Sequence, residues 1–438
     1  MKHYRYLLPL VLWAGILPAG AQQSDSRKMT LEELFALAET NSKSQKLHDL
    51  KIDQTRQAIR EAKSERLPRI EASLAVSYLG DGRIWDRDFS NPMKAEIPHF
   101  GNNFAMTASE LLYGGGAVKS GIEIARLNQE KAETEKLRDK NDLHFLLAGY
   151  YLDLYKIDNQ IQVYDKNIAL TEELIASISA RHQQGTALEN DITRYELQSA
   201  NCKLAKTRLE NERHIVNYRL NILVGLDAQT ILVPSVAADS PIPASLSSSA
   251  YLQQAQRNAP QMRSAGLNIL QSRQRERMVR SAALPKLALV AQEHLDGPVT
   301  IEIPALNNNF NYWFVGASLR YDLASLYKNK SRTAQARLET RQRETELELL
   351  KDRLAWEVEA DCTRYILALE ETETLRKNVL LAHENYRIVH TRYTNGLTLA
   401  TDMLSVSNER LEAEVRLANA QANALFCYYK LRHTCGIL

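Results

Sequence analysis

RHQQGTALENDITRYELQSANCKLAKTRLENERHIVNYRLNILVG, residues 181–225, returns about 211 residues later, without a gap, as RYTNGLTLATDMLSVSNERLEAEVRLANAQANALFCYYKLRHTCG, residues 392–436. Arg181, Gly185, Leu188, Asp191, Tyr218, Leu220 and Gly225 face Arg392, Gly396, Leu399, Asp402, Tyr429, Leu431 and Gly436. The segment before each copy keeps the same phase at the same offset. Leu143, Leu147, Tyr150, Leu154, Ile157 and Ile161 step by alternating fours and threes, and Leu354, Val358, Asp361, Tyr365, Ala368 and Thr372 repeat the step. A period of 3.5 makes a helix supercoil around its neighbours. Each copy therefore reads as a long coiled-coil helix, a tight turn at Gly185 or Gly396, and a second long helix running back beside it.

The repeat extends upstream. Thr30 to Glu33 has the form of a capping box that opens a helix running to about Arg66, ahead of Pro68. Its counterpart starts near Tyr251 and ends at Pro285, with Ala38, Asn41, Leu50, Gln54, Arg60 and Leu67 matching Ala255, Asn258, Leu267, Gln271, Arg277 and Leu284. After each Leu-Pro the period falls to two. Ile70, Ala72, Leu74, Val76 and Tyr78 alternate with Glu71, Ser73, Ala75 and Ser77, which predicts a strand with one apolar and one polar face. A second strand is expected from about Phe104 to Tyr113. In the second half Leu287, Leu289 and Ala291, then Trp313, Val315, Ala317, Leu319 and Tyr321, carry the same alternation. Each half thus inserts a β-hairpin, about 69–113 and about 286–322, into a helical repeat.

Of the 438 residues, 25% are charged and 44% hydrophobic, and the formal charge is +2. Lys and Arg are interleaved with Glu along helices, which excludes the concentrated basic face of a nucleic-acid binder. Lys2 and Arg5 precede the apolar run Leu7–Leu17 and the small-residue site Ala19-Gly20-Ala21, so residues 1–21 read as a signal peptide. Residues 22–233 form the first repeat, the Ser- and Pro-rich 234–249 a linker, and 250–438 the second repeat. The four cysteines fall in predicted helices and read as buried thiols. No metal-ligand spacing, nucleophile elbow or phosphate loop is present, so neither an enzyme nor a cofactor is expected.

Strands of about ten residues with opposite faces suit an outer-membrane barrel, but four strands cannot close one, since the smallest have eight. Three chains would supply twelve strands and twelve helical columns. A soluble sheet packed on the helices is the alternative from another class, that of a periplasmic coiled-coil scaffold.

These features together resemble the TolC-type outer-membrane efflux protein family, the outer membrane factors. The resemblance rests on the two Leu-Pro helix-to-strand switches, the exit Tyr113-Gly114-Gly115-Gly116, and the turns Arg181–Gly185 and Arg392–Thr398, each with Asp six residues after its Gly. The chain departs from the family at Leu111, where the family has Pro, and at Ser325-Leu326-Tyr327, in place of a Gly-rich exit. The resemblance implies a mainly α fold with β-hairpins. As a homotrimer it would form a 12-stranded barrel in the outer-membrane lipid and a long periplasmic α-helical tunnel. The implied function is an exit duct for an inner-membrane pump, joined through a periplasmic adaptor, or the outer-membrane component of a type I protein secretion system. It further implies adaptor contact at the tips through Gly185, Leu188, Gly396, Leu397, Thr398 and Leu399, and a gate built from Asp191, Asp402 and Tyr393. Two plainer roles stay open beside these: both glycines suit a turn, and both aspartates suit the positive end of a helix.

Overall fold

The computed structural model describes residues 26–235, 247–302 and 304–438. The expected signal peptide, 1–21, lies outside the described residues, as does most of the expected linker, 236–246. The first repeat runs β1 (Ser26–Met29), α1 (Leu31–Asn41), α2 (Lys43–Ser64), β2 (Arg69–Tyr78), β3 (Gly82–Ile84), β4 (Met93–Ala95), β5 (Phe100–Tyr113), α3 (Ala117–Gln183), α4 (Glu189–Val224) and β6 (Ile231–Pro234). The second runs α5 (Ser248–Asn258), α6 (Pro260–Ser281), β7 (Lys286–Gly297), β8 (Phe310–Arg320), α7 (Ser325–Thr394) and α8 (Ala400–Thr434).

The helices α3 and α7, of 67 and 70 residues, are each about 100 Å long by their rise. They form the two columns on which everything else is hung. On one half of the molecule the packing order is α2-α3-α6-α7, and on the other α4-α3-α8-α7. The four-stranded antiparallel sheet, β2-β5-β7-β8, keeps that order, because β2 leaves α2, β5 enters α3, β7 leaves α6 and β8 enters α7.

The expected single helix to Arg66 is in fact two. Ser42 sits at φ −61° and ψ 126°, its N–H donates to the Ala38 carbonyl, and its hydroxyl accepts from Ser44 N–H at 3.2 Å. One residue thus ends α1 and caps α2. In the second repeat the break falls at Ala259, extended at ψ 121° ahead of Pro260. The capping box itself is present: Glu33 N–H donates to the Thr30 hydroxyl and Thr30 N–H to the Glu33 carboxylate.

Around these breaks lie matched cores. Ala38, Leu147, Leu220 and Val224 are buried in one, and their counterparts Ala255, Val358, Leu431 and Cys435 in the other. Fully burying a Leu contributes about 1.5–3 kcal/mol, so these belts hold the short helices against the columns. A parallel pair absent from the sequence reading, β1 with β6, closes the first belt, and the Tyr151 hydroxyl donates to the Met29 carbonyl at 3.0 Å. Cys202, Cys362 and Cys435 are buried and free, as expected of packing thiols, whereas Cys427 is free but only half-buried; burial pushes the Cys362 thiol up to about 11 and that of Cys435 to about 12.

Candidate functional site

Directly paired residues of an antiparallel sheet share a face, so the register assigns every side chain of the four strands. One face carries the rows Leu74–Phe104–Leu295 and Ile70–Ala108–Ala291–Val315. The other carries Ser73–Ala105–His294 and Glu71–Thr107–Gln292. Glu293 interrupts the apolar face, where it accepts from the Asn311 amide at 3.3 Å. Among the described residues no helix covers the apolar face: Leu74, Val76, Trp313 and Val315 are 62–72% exposed. A soluble sheet packed on its own helices would bury them.

Strand exits differ between repeats for local reasons. The pairing of β5 with β7 slips between Leu111 and Tyr113, a bulge at the position where the sequence departs from Pro. Gly115 and Gly116 then turn into α3 at φ +66° and +87°. The second exit needs no glycine, because the Asp322 carboxylate accepts from Ala324 N–H at 3.0 Å and the chain enters α7 directly.

At the far end of the columns the two helical turns are built alike. Thr186 N–H donates to the Arg181 carbonyl and Gly185 N–H to that of His182, at 2.9 and 2.8 Å. Leu397 and Gly396 do the same to Arg392 and Tyr393. This is the Schellman pattern, with glycine at φ +72° in both turns. The return helices each open four residues after their turn glycine, at Glu189 and Ala400. Thr186 is tied backward, its hydroxyl also donating to the Arg181 carbonyl, so Leu188 becomes the N-cap and α4 opens at Glu189. Leu399 caps α8 in the same way. Asp191 and Asp402 therefore both occupy the third position of their helices, inside the first turn, where the backbone N–H groups favour negative charge.

Leu188, Leu397 and Leu399 project from the tips at 68%, 76% and 69% exposure. Thr398 is half-buried and donates to the Asp402 carboxylate at 3.0 Å, whereas Ala187 stands at the equivalent position of the first tip. Tyr393 is buried in a cluster with Ile178, Tyr195, Ala400 and Met403 that joins the two tips. The Arg181 guanidinium lies 5.3 Å from the centre of its ring and donates to its carbonyl at 3.3 Å, and the Tyr195 hydroxyl donates to the Ala400 carbonyl at 3.2 Å. Burial raises the Tyr393 hydroxyl pKa, with Arg181 opposing and the Asp191 charge adding. Among the described residues the Tyr393 hydroxyl makes no hydrogen bond to Asp191. Sequence reasoning passed over Tyr195, Met403 and Arg181 as tip-joining groups, although Arg181 and Arg392 are among the repeated identities.

Comparison with known proteins agrees with this geometry. Residues 251–436 match the family model described as outer membrane efflux protein. Among solved structures, CusC superposes with a TM-score of 0.77 at 15% identity, covering 98% of each chain. VceC from Vibrio cholerae gives 0.76 at 14%, covering 93% of this chain and 96% of that one. The MtrE outer membrane channel of Neisseria gonorrhoeae gives 0.69 at 17%, covering 93% and 88%. Comparison with curated proteins finds no match to the sequence. The second repeat thus matches the outer membrane efflux protein family in sequence, and the chain as a whole shares the fold of these solved outer-membrane channels.

Proposed function

We propose that three copies of this chain close into an outer-membrane channel that serves as the exit duct of a tripartite efflux system. The observation that carries the proposal is the pair of open edges that every layer leaves. The sheet ends in β2 and β8, one helical layer in α2 and α7, the other in α4 and α7. Within a bilayer an unpaired strand edge costs several kcal/mol per group, so β8 of one copy must pair with β2 of the next. The strands alternate in direction across the sheet, so that junction is antiparallel like the other three. The helical edges offer apolar stripes at coiled-coil spacing, Leu197, Leu204 and Ile215 on α4, and Leu349, Trp356 and Leu367 on α7, all more than half exposed. A head-to-tail contact of this kind closes into a ring.

In that ring the apolar sheet face meets lipid and the tips lie farthest from the membrane. Leu188, Leu397 and Leu399, with Gly185, Gly396 and Thr398 shaping the turns, form the contact with a periplasmic adaptor, which links the duct to an inner-membrane pump. Asp402, Asp191 and Tyr393 constitute the gate at the same end. Replacing Leu397 and Leu399 together by Asp, in cells carrying the adaptor and pump, is expected to abolish efflux while the trimer still assembles. Unchanged efflux would remove the adaptor from these residues.

A further inference from the structure

The contact between α3 and α8 is a contact between repeats, since α3 belongs to the first and α8 to the second. Phe145 of α3 fills it, its ring centre 5.4 Å from that of Phe426 and 4.6 Å from that of His433. The Lys430 ammonium lies 5.2 Å from the same ring. Further along the seam the Gln160 amide donates to the Asn419 carbonyl oxygen at 2.7 Å.

Each of these residues has a counterpart in the other repeat at the same offset. Phe145 corresponds to Trp356 on α7, while Phe426, Lys430 and His433 correspond to Ile215, Arg219 and Ile222 on α4. Gln160 and Asn419 correspond to Glu371 and Arg208. Within one chain these two sets cannot meet, because α4 and α7 are the opposite outer edges of their layer. Both sets are left uncovered: Trp356 is 75% exposed, Ile215 51% and Ile222 59%, and Arg208 and Glu371 are exposed as well. Ile215, Arg219 and Ile222, with Leu146 and Tyr150, line an open groove of about 580 Å³.

We propose that Trp356 of one copy docks in the α4 groove of the next copy, stacked under Arg219, with Glu371 paired to Arg208 across the same boundary. The proposal rests on the trimeric reading above and specifies the contact that closes it. The differences between the repeats are compensatory. The larger knob, Trp in place of Phe, faces a slimmer wall, Ile215 in place of Phe426, which offsets part of the added volume across the seam, and Ile222 replaces His433 with an apolar group of similar size. Lys430 stands over the aromatic ring within the chain; its counterpart Arg219 lies 5.9 Å from the Tyr150 ring at the groove wall, within reach of a docked Trp356, and tryptophan is the ring that such a cation prefers. The neutral amide pair becomes a pair of opposite charges, which favours one register of neighbouring copies and disfavours like-with-like pairing.

The test uses the full chain extracted from outer membranes. Trp356→Cys combined with Ile215→Cys, treated with a short thiol cross-linker, is expected to give a non-reducing gel ladder reaching three chains. Either single variant should give none. No ladder from the double variant, while the unheated parent particle has the mass of three chains, would overturn the docking and leave the trimer standing. A parent particle of one chain would overturn both, and a cross-linked band of foreign mass would assign the groove to another protein and overturn the docking. Independently, Arg208→Glu is expected to lower the fraction surviving as trimer in unheated detergent, and adding Glu371→Arg to restore it. Failure of the second charge reversal to restore the trimer would overturn the ion pair.

Discussion

Asp402 and Asp191 share a helix position but not an environment. Only Asp402 receives a side-chain hydrogen bond, from Thr398, and it is exposed where Asp191 is half-buried. Placement in the first turn contributes about 0.3–1 kcal/mol to each helix whatever else the carboxylate does. A gate role requires more: three copies of Asp402 facing one axis would attract cations and hold a divalent ion. Asp402→Ala is therefore expected to weaken cation preference and divalent block in single-channel recordings from planar bilayers. Conductance like the parent's would leave Asp402 as a helix-end residue. Backbone demands separate two other positions. An alanine methyl at Gly396 would meet nothing within 4 Å, so Gly396→Ala costs only the left-handed backbone conformation, about 1–2 kcal/mol. At Gly436 the same methyl would also lie 2.8 Å from the Ala259 Cα. Gly436→Ala should lower the thermal unfolding midpoint more than Gly396→Ala, and equal shifts would contradict the close packing of the α8 end on the Ala259 break.

Among the elements, the ones with sustained periodicity were legible in the sequence: the 3.5 pattern located α3 and α7 and the period of two located β2, β7 and β8, while β5 was expected by position and starts four residues earlier, at Phe100. Elements defined by single residues or by distant pairing were not. Ser42 breaks a helix inside the wholly polar run 39–46, where no apolar residue keeps or shifts the phase, and only Pro260 in the second repeat marked that place. The pairing of β1 with β6 joins two four-residue segments some 200 residues apart, and nothing local announces it. The start of α4 is likewise set by bonds no local pattern shows, since the Schellman pair ties Thr186 to the preceding helix and leaves Glu189 to open the next one. Of the candidate site, the positions of the tip leucines and the turn glycines were readable, but the burial of Tyr393 between two hairpins was not, since it depends on the α3–α4 tip meeting the α7–α8 tip. The register of the sheet yields its own test. Leu74→Arg, on the apolar face, should cost about 2–4 kcal/mol near the bilayer midplane and reduce assembled channel in the outer membrane, whereas Ser73→Arg on the opposite face should be tolerated. Equal tolerance of both would contradict the lipid-facing assignment.

At the scale of the whole molecule, a single chain is an incomplete object. Its sheet has two unpaired edges, its helical layers have two unpaired columns, and large apolar side chains on both remain in contact with water. Exposed stripes of this length are costly for a monomer and ordinary for a subunit. Internal duplication offers copies of the same chain as the proposed remedy: the seam between repeats inside one chain would serve as a template for a seam between chains. In the proposed trimer, three chains would supply six quasi-equivalent repeats around one axis. The most direct test is the mass of the unheated particle extracted in mild detergent from outer membranes and measured by native mass spectrometry. Three copies per particle is the predicted result, and a particle holding one chain would contradict the channel.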